Sequence, residues 1–260
     1  MPQIADTYEI KPGDTLSGIA TKHGIPLQAL LDANKQIQHP DLIKIGEIIN
    51  LPSTAPPPAI VPAPGHPSVY NGIDPAPGTV STDRSHYISP PLTNAPGQRN
   101  PDIYSQLINQ FAVGHNPRYL GVPGTTYCNI FVWDVSRAMG AEIAHWVDST
   151  GDTATPGAPH ANEIVINAGV DWMLNFGVSK HGWRKASAQE AQDAANLGLI
   201  AVVMWKNPNP GLHGHTAVIR PGSINAKGPT SAQAGLNNFN LGHVTDGFGG
   251  RSPLQYFCHD

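Results

Sequence analysis

The chain has 260 residues and a net charge of −4 with its histidines neutral, so it carries no basic footprint for nucleic acid. No apolar run approaches the roughly 18 residues of a membrane helix. Glycine and proline together make up about a fifth of the residues, which disfavours a long helical bundle, and two cysteines exclude a disulfide framework.

Residues 1–52 read as strand, helix, helix, strand. The start, MPQIADTYEIKPGDTL, lacks the basic and apolar regions of a signal peptide; the expectation is synthesis in the cytoplasm and delivery by another route than general secretion. In TYEI, Tyr8 and Ile10 alternate as in a strand. GDTLSGIATKHG opens with a capping signal from Asp14 or Thr15, continues with Leu16, Ile19 and Ala20 at helical spacing, and stops at Gly24. PLQALLDAN starts at Pro26, repeats with Leu27, Leu30 and Leu31, and ends near Asn34. GEIINLP returns as a strand closed by Pro52. Antiparallel pairing of the two strands then buries the helices' apolar faces.

This stretch resembles a LysM module over its whole length, in the GDTL turn, the L..L...N second helix and the closing I..G..I.LP. The resemblance implies binding of N-acetylglucosamine-containing glycans, chiefly peptidoglycan or chitin. It implies a sugar groove at Gly13, Asp14, Thr15 and Leu16, and at Asp41, Leu42 and Ile43. Two adjacent loops there can offer backbone amides to an acetamido group above an apolar floor. Leu16 also reads as core.

Residues 53–97 are dense in proline without a packing period, which reads as an extended, semi-rigid spacer. Tyr70, Ile73, Tyr87, Ile88 and Leu92 are candidates to dock on the following domain, so ordered structure is expected to begin before 97.

Residues 98–260 read as helices followed by strands, an α+β pattern. PDIYSQLINQFAV, YCNIFVWDVSRAMGA, EIVINAGVDWMLNFG and SAQEAQDAANLG have helical spacing, the last with Ser187 as N-cap and Gly198 as stop. LIAVVMW, HTAVIRP, PTSAQAG and LQYFCHD read as antiparallel strands. Cys258 in the last reads as a free structural thiol.

Cys128 stands at the first turn of its helix, with Thr125 and Thr126 as possible caps and Phe131, Val132, Val135 and Met139 on the same buried stripe. A helix N-terminus favours a thiolate. A nucleophile also needs a base, and GLHGHTAVIRPG supplies His213 and His215. His215 begins a strand and is held more firmly than His213 in the preceding loop, so His215 is the expected base. Gln233, Asn237, Asn238 and Asn240 are candidates to orient the imidazole. Gln233 is the natural neighbour if Ser231, Gln233 and Gly235 share one face.

The ordered pair of YCNIFV and GHTAVI resembles the papain-like peptidoglycan hydrolases of the NlpC and CHAP families, whose corresponding strand reads GHVAVV. The resemblance implies a papain-like domain over 98–260 and cleavage of an amide bond in peptidoglycan stem peptides. Cys128 would attack the carbonyl. Its backbone N–H and a second donor would meet the oxyanion, and Tyr127 and Tyr119 are candidates to supply that donor or to line the site. The insertion HWVDSTGDTATPGAPHANEIV would wall the cleft, and His145, Trp146, Asp148, Asn162 and Trp172 are candidates to touch the peptide. No cofactor is implied.

The whole reads as a monomeric cell-wall hydrolase acting in the periplasm or wall of a target cell, as a phage lysin or an antibacterial effector. An effector implies an immunity protein and a secretion-machine component as partners. Two other readings compete. His213 and His215 form a strand-borne H-x-H suited to zinc, though without a third ligand at recognisable spacing. Alternatively the second domain is non-catalytic, with Cys128 inert and buried.

Overall fold

The computed structural model describes residues 4–12, 14–23, 30–31, 33–37, 43–52 and 73–260. The chain divides into two compact units, 1–59 and 60–260. Both are built of helices and antiparallel strands.

In the first unit, β1 (Ile4–Glu9) pairs antiparallel with β2 (Ile48–Pro52), Tyr8 opposite Ile49. Helix α1 (Leu16–His23) follows β1. Its cap is Thr15, whose Oγ1 accepts the Gly18 N–H at 3.0 Å. Asp14 instead closes the preceding turn: Oδ2 accepts the Lys11 N–H at 2.8 Å and the Tyr8 hydroxyl at 2.9 Å. Leu30, Leu31 and Ala33 are helical, while the expected stop Gly24 and residues 26–29 and 32 of the expected second helix lie outside the described residues. Ile10, Leu16, Ile19, Ala20, Leu30, Ile49 and Leu51 form the core. Buried Asn34 ties the leucine segment to β2, donating to the Leu30 and Asn50 carbonyls and accepting the Asn50 N–H at 2.7 Å. An asparagine there satisfies three backbone groups that an apolar residue would leave unpaired.

The second unit is centred on a six-stranded antiparallel sheet in the order β5-β10-β6-β7-β8-β9. The strands are β5 (Arg184–Ala186), β6 (Ile200–Trp205), β7 (His215–Ile219), β8 (Thr230–Gln233), β9 (Phe239–His243) and β10 (Gln255–His259). Strands β7 and β8 are buried along their whole length and β6 along all but its last residue, which is why IAVVM is continuously apolar rather than alternating. A small two-stranded ribbon, β3 (Trp146–Val147) with β4 (Asn162–Glu163), spans the insertion.

Helix α2 (Pro101–Gln110) is capped by Asn100, whose side chain accepts the Asp102 and Ile103 N–H groups. Helix α3 (Cys128–Ala138) packs on β7 and β8 and is buried on nearly every side. Helix α4 (Ile166–Trp172) runs into a π turn, Met173–Gly177. Helix α5 (Ala188–Asn196) opens with a Ser187–Glu190 capping box and packs on β6 and β10. A short α6 (Val244–Phe248) follows β9. Cys258 is buried and free.

Residues 73–97 are bonded into this unit. Gln110 exchanges side-chain hydrogen bonds with the Leu92 backbone, and Asn94 binds the Ala138 and Gly198 backbones. The proline-rich run 53–72 lies outside the described residues.

Candidate active site

A cleft of about 670 Å³ opens in the second unit, lined by Cys128, His213, His215 and Gln233 among others. Three local structures bring the first and the last two together. The apolar stripe of α3 seats its first residue against β7. His215 is the first residue of β7, and Gln233 is the last of β8, the adjacent strand.

The hydrogen bonds define the protonation of His215. Gln233 Nε2 donates to the Asn237 carbonyl at 2.8 Å, so its amide oxygen faces the ring. That oxygen lies 2.7 Å from His215 Nε2. A carboxamide oxygen only accepts, so Nε2 carries the proton and Nδ1 is left as the basic nitrogen. Phe248 packs on the imidazole with ring centroids 4.6 Å apart. Burial lowers the His215 pKa to about 4, although the Gln233 bond pulls it upward. Gly247 is required beside this pair: a Cβ there would stand 1.8 Å from Gln233 Oε1.

Cys128 is 4% exposed. Burial pushes its thiol up to about 11, against the pull of the Thr216, Asn129 and Cys128 backbone N–H groups. At this helix N-terminus desolvation therefore opposes the expected thiolate that the dipole favours. Thr216 directly follows His215, so the amide that lowers the sulfur's pKa belongs to the strand that carries the imidazole. Tyr127 occupies the N-cap position without a side-chain cap, so Thr125 and Thr126 do not cap α3. The first turn of α3 thus has no side-chain cap from its N-cap residue, and its amides face the Cys128 sulfur.

The other expected residues divide. Tyr127 lines the cleft. Tyr119 does not; it is fully buried and its hydroxyl donates to Asp134 at 2.8 Å. His145 is buried with Nε2 2.7 Å from Glu163 Oε1, and burial lowers its pKa to about 4. Trp146 donates to the Ser85 carbonyl, Asp148 accepts the Thr150 and Asp152 N–H groups of its own turn, and Asn162 bonds the His160 carbonyl. Trp172 is core. None of these five lines the cleft. The insertion contributes Glu163 instead, one residue beyond Asn162, together with Val165. His213 lines the cleft, but among the described residues no three His, Cys, Asp or Glu side chains converge as metal ligands.

Sequence reasoning missed Glu163, Arg84 and Arg251 as cleft residues. Arg84 lies in the stretch read as spacer, where no local pattern marks it. In the first unit Leu16 is core, Ile43 packs at the core's edge, and Asp14 and Thr15 serve the turn and cap described above. Gly13, Asp41 and Leu42 lie outside the described residues.

Comparison with known proteins bears on the first unit. Residues 8–52 match the LysM domain model, so the chain carries an N-terminal LysM domain. The chain is 51% identical over 51 residues to N-acetylmuramoyl-L-alanine amidase XlyB of Bacillus subtilis (strain 168), covering 20% of this chain and 16% of that protein. It is 42% identical over 52 residues to the Secreted LysM effector ECP6 of Passalora fulva, covering 20% and 23%. It is 37% identical over 49 residues to the Endolysin of Bacillus phage PZA, covering 19% of each. The matched segments thus span at most 23% of these relatives' lengths.

Proposed function

We propose that the protein is a peptidoglycan hydrolase. Its LysM domain holds it on glycan, and a papain-like domain of the NlpC/CHAP type cuts an amide bond in the stem peptide. The observation that carries this reading is the shared cleft of Cys128, His215 and Gln233, with the imidazole held in the tautomer a base needs. The LysM domain and the names of two relatives, an amidase and an endolysin, support the substrate class.

The residues imply general-base catalysis from a neutral pair. As the Cys128 sulfur bonds to the scissile carbonyl carbon, its proton passes to His215 Nδ1. The oxyanion is met by N–H groups at the start of α3. His215 then returns the proton to the leaving amine as the C–N bond breaks, giving a thioester. Water attacks the thioester, losing a proton to His215, and the proton goes back to the departing sulfur. Gln233 keeps Nε2–H occupied throughout.

Delivery to a target cell as a phage lysin or an injected effector, with an immunity protein in the producer, belongs to the same reading. The test is digestion of purified sacculi by the wild type and Cys128→Ala, with products identified by mass spectrometry. Wild type releases stem-peptide fragments, and the variant falls by roughly 10³-fold or more. Burial of the Cys128 thiol favours one second reading, a protein that only binds the wall. In that case both proteins bind sacculi and neither releases fragments.

A further inference from the structure

Arg84 lines the same cleft as Cys128 and His215. Its guanidinium is anchored to backbone: Nε donates to the Arg118 carbonyl at 2.9 Å, and Nη2 to the Pro117 carbonyl at 2.8 Å and the Leu120 carbonyl at 3.4 Å. Nη1 makes one long contact, 3.4 Å, to the Thr82 carbonyl. The Tyr127 ring, at the N-cap of the nucleophile helix, lies 3.9 Å from the guanidinium carbon.

Every one of these partners is neutral. Among the described residues no carboxylate pairs with Arg84. Its neighbour Arg118 has Asp134 to itself. Of the carboxylates that line the cleft, Asp246 pairs with Lys227, while Glu163 lies 2.7 Å from the buried His145 Nε2; neither is an ion-pair partner of Arg84. A guanidinium has five N–H donors, and among the described residues one Nη1 proton finds no acceptor while two others have only long ones. A half-buried cation, held rigid by neutral acceptors and left without a counter-charge, is preorganised for an anion.

We propose that Arg84 binds a free carboxylate of the peptide substrate and so sets which stem peptides enter the Cys128 cleft. The assignment rests on the hydrolase reading for its substrate class. Stem peptides present a carboxylate along the chain and one at the C-terminus, and the same chemistry serves either.

The test uses three synthetic stem peptides: both carboxylates free, the internal one amidated, and the terminal one amidated. The wild type is expected to cut the free peptide about 10- to 100-fold faster in kcat/KM than one amidated form, which identifies the carboxylate read. Arg84→Gln cuts the free peptide at the amidated peptide's rate. An unchanged free-to-amidated ratio in Arg84→Gln overturns the proposal.

Because Arg84 also ties down residues 117–120, a second measurement avoids its replacement. Phenylglyoxal modification of Arg84 is followed by mass spectrometry in the full-length Cys128→Ala protein. Protection by the free peptide but not by one amidated form supports the proposal, even if the wild type proves unable to cut anything. Equal protection by all three peptides, or none by any, overturns it while leaving the hydrolase reading to the sacculus digest.

Discussion

His215 shows how a single residue's surroundings set its chemistry. Burial favours the neutral ring, and Gln233 selects the nitrogen that keeps the proton. In the proposed mechanism the active form has neutral His215, so activity is expected to fall as pH drops through about 4, where the ring gains a proton. The kcat/KM profile should therefore be flat from about pH 5.5 to 7.5; an acid limb near the ordinary histidine value of about 6.5 would contradict this. Stability moves in the same direction. Folded values of about 4 for His215 and His145 lie below the unfolded value of about 6.5. The unfolded chain thus takes up protons first, and the stability present above pH 6.5 drains as pH falls towards 4. Activity is accordingly assayed within seconds of a pH jump.

Helix α3 is the element on which the site depends. Phe131 and Val135 are fully buried, and each such side chain contributes about 1.5–3 kcal/mol by leaving water. The same helix carries Asp134 into the core, where Arg118 binds it through Nε at 2.6 Å and Nη2 at 3.0 Å. Arg118 also donates to the Asp83 carbonyl, and to that of His86 at 3.0 Å. These bonds hold residues 83–86, and with them Arg84, beside the start of α3. Arg118→Met removes one partner of a pair with both side chains fully buried and leaves a stranded carboxylate. The expected cost is about 3–5 kcal/mol, read as a loss in the urea midpoint. Destabilisation under 1 kcal/mol would show that Asp134 finds another partner or is neutral.

At the scale of the molecule, two compact units have separate cores, and the proposed function gives anchoring to the first and cleavage to the second. Linking a binder to a catalyst raises the local concentration of substrate without touching the chemistry. Removing residues 1–59 should weaken sacculus pelleting and slow digestion of sacculi by about tenfold or more, with cleavage of a soluble stem peptide unchanged. Equal loss on the soluble peptide would mean that the first unit takes part in catalysis or folding.

Local signals carried much of this. The capping box at Ser187, the continuous apolar run of β6 and the LysM pattern of 8–52 are short-range features, written within one or two turns or strands. Cys128 and His215 were legible because each opens an element with a strong apolar pattern. What only the tertiary structure decided involves distance along the chain or desolvation. The brief strands β5 and β9, three and five residues long, take their pairing from β10 and β8 and carry little periodicity of their own. His145, Trp146, Asp148 and Asn162, expected in the cleft, do not line it; of the β3–β4 ribbon Glu163 does instead. Arg84 reaches it from a stretch whose composition reads as spacer, because its partners lie 33 to 36 residues away. Packing removes the Cys128 thiol from water and raises its pKa to about 11, a desolvation that the dipole of its own helix, legible in sequence, could not predict.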